Sequence, residues 1–185
     1  MHKHLITKST LLLLLIFTSL TSFALEVPAP STYYINDYTG TIDQTTINTL
    51  NEMLKQYEGN TTNQVVVVIF KSLEGENLED FTHKLATKWQ VGQKGKDNGA
   101  VLSVFLNDRK MRIEVGYGLE STLTDLRASQ IIRSVIAPHF KQGNVANGIQ
   151  AGIVAIMDIA DGHADKYFKD KIANDFNFDW LETLG

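Results

Sequence analysis

Gly99-Ala100-Val101-Leu102-Ser103-Val104-Phe105-Leu106 is followed at once by Asn107-Asp108-Arg109-Lys110 and then by Met111-Arg112-Ile113-Glu114-Val115. The first run is apolar without alternation, the pattern of a strand covered on both faces. The last alternates apolar with charged residues, the pattern of a strand covered on one face. The four residues between them suit a hairpin turn, so the second strand returns antiparallel and leaves Arg112 and Glu114 solvated.

Upstream, Gln64 to Phe70 carries Val65-Val66-Val67-Val68-Ile69, a second β-branched run without alternation. Between the two runs, Leu78, Phe81, Leu85 and Trp89 recur at helical spacing, with Asn77 as cap and Gly92 beyond the end. Strand, helix, strand closes as a right-handed crossover, so the two apolar strands lie parallel. Ile47, Leu50, Leu54 and Tyr57 define an earlier helix, capped by Asp43 and stopped by Gly59, after an extended lead from Val27 to Ile35. Beyond the hairpin, Thr124 caps a helix through Ala128, Ile131, Ile132, Val135 and Ile136 that Pro138 ends. Asn144 caps another, in which Gly148, Ala151, Gly152 and Ala155 permit close packing. The fold class expected is α/β: a three-layer α/β/α sandwich with a mixed, mostly parallel central sheet and an antiparallel hairpin.

The N-terminus reads as an export signal, with Lys3 and Lys8, an apolar run from Leu11 to Phe17, and Ser22-Phe23-Ala24 as a small-x-small cleavage site. The run is shorter than the roughly 20 residues of a bilayer span. Residues 1–24 are therefore assigned as signal peptide, 25–163 as the domain, and 164–185 as a last helix from about Ala164 to Lys171 with an aromatic-acidic tail. Asp175-Phe176-Asn177-Phe178-Asp179-Trp180 in that tail is expected to tuck its rings onto the domain. Expected localisation is periplasmic or secreted, with no transmembrane anchor after cleavage. Loss of the leader removes two lysines and no acid, leaving 15 basic against 21 acidic residues and a net charge of −6, which disfavours nucleic acid as partner. The chain has no cysteine, which excludes disulfides, zinc-thiolate sites and cysteine nucleophiles.

The topology has a consequence for the polar residues. The strand beginning at Gly99 and the strand ending at Val115 share one end of the sheet. Gly95-Lys96-Asp97-Asn98-Gly99 must face Gly116-Tyr117-Gly118-Leu119-Glu120 and Thr124-Asp125 there, and Asp108 lies at the other end. Asp97, Glu120 and Asp125, with the amide oxygen of Asn98, are hard oxygen ligands of the kind Ca²⁺ or Mg²⁺ takes. The same residues also suit a turn at Asp97-Asn98-Gly99, a helix N-terminus at Asp125 and a solvated Glu120, and the residue types leave both open. The glycines match neither nucleotide-binding fingerprint. His83, His139 and His163 accompany no nucleophile motif and read as surface or helix-end histidines.

Trp89-Gln90-Val91-Gly92, Asp97-Asn98-Gly99, the run from Asp108 to Glu120, and Leu123-Thr124-Asp125 together resemble the TPM domain. Ile35-Asn36-Asp37 and Pro138-His139-Phe140 extend the resemblance, which spans about Tyr33 to Ala160. It implies an exported α/β/α domain of the kind seen in photosystem II repair proteins, a nematode receptor modulator and many bacterial proteins. Calcium binding is attributed to some members, with the acidic loop as the implied site, and acid phosphatase activity to a plant member. Carried over by position, the metal ligands are Asp97, Asn98, Glu120 and Asp125, with Asp37 ranked second because it lies at the far end of the sheet. The function expected is a divalent-cation-binding accessory or interaction module of the cell envelope, with Ca²⁺ favoured over Mg²⁺ and no organic cofactor. Its partner is expected to be an envelope or membrane-associated protein. The alternative is a metal-assisted acid phosphatase acting on phosphate monoesters, for which only Lys94, Lys96 or Arg127 offers a cationic clamp. No catalytic residue is assigned, and nothing resembles a nicotinamide- or quinone-dependent oxidoreductase.

Overall fold

The computed structural model describes residues 25–164 and Phe168. The leader and the aromatic-acidic tail lie outside the described residues, as does most of the expected last helix. The elements in chain order are β1 (Ile35–Asp37), α1 (Gln44–Thr61), β2 (Gln64–Phe70), α2 (Leu78–Trp89), β3 (Gly99–Phe105), β4 (Lys110–Val115), a 3₁₀ turn (Tyr117–Leu119), α3 (Asp125–Ile131), a π-helical segment (Ile132–Ile136), α4 (Ala137–Lys141) and α5 (Val145–Ala160).

The sheet runs β1-β2-β3-β4. β1, β2 and β3 are parallel, and β4 returns antiparallel with Ala100 opposite Val115 and Phe105 opposite Lys110. β2 explains its own composition: Val65, Val67 and Ile69 enter one core, while Val66, Val68 and Phe70 enter the other. α2 covers the second face through Phe81, Leu85 and Trp89, and α1, α3 and α5 cover the first. The sheet between two helical layers is the expected α/β/α sandwich.

Three local expectations are corrected. The lead into α1 contains a strand, β1, which pairs with β2 from Ile35↔Val67 to Asp37↔Ile69. Gly59 does not stop α1; the helix runs to Thr61 and ends on Thr62 in left-handed backbone, whose N–H returns to the Glu58 carbonyl at 2.8 Å. Pro138 does not end the helix before it. Proline lacks an N–H and clashes with the carbonyl four residues back. The chain widens to a π turn, with the Ala137 N–H bonded to Ile132 O, and continues as α4. The small residues of α5 act as expected: a Cβ on Gly152 would lie 2.7 Å from the Ile136 side chain.

Asp37 sits at the end of the sheet opposite Asp97, and its carboxylate is consumed locally. Oδ1 accepts from the N–H and hydroxyl of Thr39 and from the Gly40 N–H, and Oδ2 accepts from the Ile42 N–H at 2.8 Å. Burial alone would raise its pKa, but these bonds together outweigh burial and hold it below the ordinary aspartate value. A depressed carboxylate stabilises the fold above its unfolded pKa and loses that contribution as pH falls through the folded value. Asp37→Asn turns an amide donor towards these donors and is expected to cost about 2 kcal/mol at pH 7. Urea unfolding of both proteins should show the difference shrinking below about pH 4; a difference independent of pH would show that the charge is not what matters.

Candidate functional site

The two loops expected to meet do meet, more closely than side chains allow. The Gly116 N–H donates to Gly99 O at 2.8 Å and the Gly118 N–H to Asp97 O at 3.1 Å. A Cβ on Gly116 would lie 2.1 Å from Asp97 O, and one on Gly118 2.0 Å from Lys96 O. Neither glycine has positive φ; what each supplies is the missing side chain. Asp97 itself adopts left-handed backbone, φ 48°, a conformation aspartate tolerates.

Beneath this junction Asn98 is 5 % exposed and fully bonded. Its Oδ1 accepts the Gln93 N–H at 2.8 Å, and its Nδ2 donates to Thr62 O at 2.7 Å and lies within bonding distance of Asn63 Oδ1. The Asn98 carbonyl accepts the Gln64 N–H, and Gln64 Oε1 accepts the Gly92 N–H. The Asn98 side chain thus ties the loop 93–98 to the end of α1, and its backbone carbonyl ties it to the start of β2.

The three carboxylates Asp97, Glu120 and Asp125 are all exposed on this end of the molecule. Among the described residues no three histidine, aspartate or glutamate side chains converge as a cation cage, and the Asn98 amide is committed inside the loop. The geometry therefore offers an open acidic rim. Asp125 begins α3, where Thr124 Oγ1 accepts the Arg127 N–H. Arg127 Nη1 donates to Thr122 O at 2.7 Å, so it serves the turn before α3.

Beside the rim lies a cleft of about 570 Å³ between α2 and β4, with His83, Thr87, Gln93, Asp97, Glu114 and Tyr117 on its walls. Tyr117 is 81 % exposed. Glu114 is not solvated as its strand pattern implies. It accepts from Arg112 Nε at 2.9 Å and faces His83 Nδ1 at 3.1 Å. His83 is thereby more than a surface histidine, although most of its side chain remains in water. The alternation in β4 places Arg112 and Glu114 on one face, but nothing in the sequence announces that α2 will bring His83 over them.

A family model described as the TPM domain matches residues 35–159. The N-terminal domain of a protein from P. gingivalis, solved in solution, is 33 % identical, with a TM-score of 0.67, over 76 % of this chain and 96 % of that one. The N-terminal domain of a Corynebacterium glutamicum protein (18 % identity, TM-score 0.56, 74 % and 86 % covered) shares the fold. So does the BA42 protein from Bizionia argentinensis (19 % identity, TM-score 0.54, 68 % and 83 % covered). No curated protein matches the chain.

Proposed function

Because the chain belongs to the TPM-domain family, we propose that it works as an exported accessory module of the cell envelope, binding an envelope or membrane-associated protein through its acidic-loop end. The observation that carries this is the backbone junction at Gly116 and Gly118, which holds two loops in fixed register and presents exposed Tyr117 above a cleft. Rigid placement lowers the ordering cost of binding, and tyrosine supplies large contact area with few rotors. Exposed Lys94 and Lys96 stand among the acids of this end, so the partner surface should carry charges of both signs placed to match.

The test is capture from an envelope extract with the parent and Tyr117→Ser as paired baits, both checked for intact folding. A protein retained by the parent and lost by the variant is the expected result; equal retention overturns the face. Turnover of a phosphate monoester by the parent that disappears in Asp97→Ala would instead favour the phosphatase reading.

Ca²⁺, before Mg²⁺, belongs to this proposal as a weak ligand of the open rim, in the range of about 10⁻⁴ to 10⁻³ M typical of extracellular modules. Thermal unfolding of chelator-stripped protein should then show a midpoint that rises with added Ca²⁺, the gain in stability being about 2.7 kcal/mol at a hundredfold excess over the dissociation constant. The rise should be absent in the Asp97→Ala/Glu120→Ala double variant. A flat response removes the cation and leaves the interaction module standing.

A further inference from the structure

At the opposite end of the sheet, where the β3–β4 turn meets α4 and the start of α5, lies a second cavity of about 620 Å³. Phe105, Leu106, Met111, Phe140 and Val145 give it apolar walls, and Arg109, Lys110 and Lys141 stand on its lining. All three cations are exposed. Among the described residues none of them forms an ion pair. The carboxylate in the turn, Asp108, is directed elsewhere, with Oδ2 accepting the Leu73 N–H at 2.8 Å. The cavity is thus an apolar pocket with a positive edge in a chain of net negative charge. Its chemistry calls for an occupant that joins hydrophobic bulk to negative charge.

We propose that this cavity is the docking site of the chain's own segment from Asp175 to Glu182. That segment carries Phe176, Phe178 and Trp180 at every second position and Asp175, Asp179 and Glu182 without a basic residue among them. Spacing of two places the three rings on one side of an extended backbone and Asp175 and Asp179 on the other, so that with the rings in the cavity these two acids face outward, within the sweep of the long cationic side chains at its edge. β4, which supplies Lys110 and Met111 to the cavity, is an edge strand with an open side along which an extended segment can lie.

Reach is sufficient. Val145, at the start of α5, lines the cavity, and the 16 residues of α5 lead away from it over about 24 Å. Phe168 packs on the core past the end of that helix. The eight residues Lys169 to Phe176 span about 26 Å when extended, enough to return along α5 to its beginning. Because the segment is tethered, docking is intramolecular and benefits from a high effective concentration.

The full chain provides its own reporter. It has two tryptophans, Trp89 and Trp180, so the difference between the parent and Trp180→Phe in acrylamide quenching isolates Trp180. Trp180 is expected to be quenched several-fold less than free indole, at a level independent of protein concentration. Arg109→Glu/Lys141→Glu should raise its quenching to the free value with the unfolding midpoint of the domain retained, and Asp175→Lys/Asp179→Lys added to that pair should restore the protection. Full quenching in the parent overturns the proposal, as does protection that the charge reversals leave intact. Protection that grows with protein concentration also overturns it, and would assign the cavity to the segment of a second copy.

Discussion

Gly118→Ala is expected to lower stability by about 3 to 4 kcal/mol, near the top of the range for single substitutions, whereas Gly59→Ala is expected to raise it by about 0.5 kcal/mol. The two changes are chemically identical. At Gly118 the new methyl would lie 2.0 Å from the Lys96 carbonyl oxygen, and that atom belongs to backbone that cannot rotate away. The loop must separate, breaking the Gly118 N–H bond to Asp97 O and straining the Gly116 bond to Gly99 O. At Gly59 nothing lies within 4 Å of the added carbon, and the residue is inside α1, where alanine restricts the unfolded chain more than glycine does. Thermal unfolding should place the first variant about 10 °C below the parent and the second slightly above. A Gly118→Ala protein within about 1 kcal/mol of the parent would mean the loops yield easily, which is less than a fixed backbone clash permits.

The same variant bears on function. If the two loops part, Tyr117 and Asp97 lose their fixed relation while every side chain of the rim is still present. Binding at this end should weaken in Gly118→Ala even at temperatures where the domain is folded. A mutation that removes only a methylene's worth of space can thus separate the rigidity of the platform from its composition.

How far the sequence discloses this arrangement depends on whether a feature is local. β2 and β3 are legible because burial on both faces demands continuous apolar residues. The meeting of the 95–99 and 116–120 loops is legible because an antiparallel return must bring a chain back to where it began. β1 is harder to see: Ile35–Asp37 spans three residues, too few to establish a period. The end of α1 is set by tertiary contacts, since Asn98 holds Thr62 O and Lys96 Nζ reaches Thr62 Oγ1 at 3.3 Å, so Gly59 carries no stop signal. Pro138 reads as a terminator because the pattern of apolar residues cannot show that a single π turn absorbs its missing N–H. Glu114 and His83 are 31 residues apart on different elements, and no spacing rule joins them.

Asn98 is where sequence and structure assign different work to one residue, and Asn98→Asp tells the two apart. As an oxygen ligand at an acidic loop, the residue would gain from becoming a carboxylate, and added Ca²⁺ should stabilise the variant more than the parent. As the buried tie between Gln93 N–H and Thr62 O it loses, because a carboxylate has no hydrogen to donate to Thr62 O and stands buried against another oxygen acceptor. The expected cost is about 3 kcal/mol at pH 7, and saturating Ca²⁺ should not recover it. Burial beside acceptors raises the pKa of the introduced acid, and its protonated form regains a donor, so the loss relative to the parent should shrink as pH falls. That direction is opposite to a ligand's, since protonation abolishes cation binding. Denaturant unfolding of both proteins at pH 7 and pH 5, with Ca²⁺ or chelator, yields either a deficit that acid relieves and calcium ignores, or a deficit that calcium relieves and acid deepens. The first outcome makes Asn98 the strut that holds the acidic loop in place; the second would return it to the ligand set.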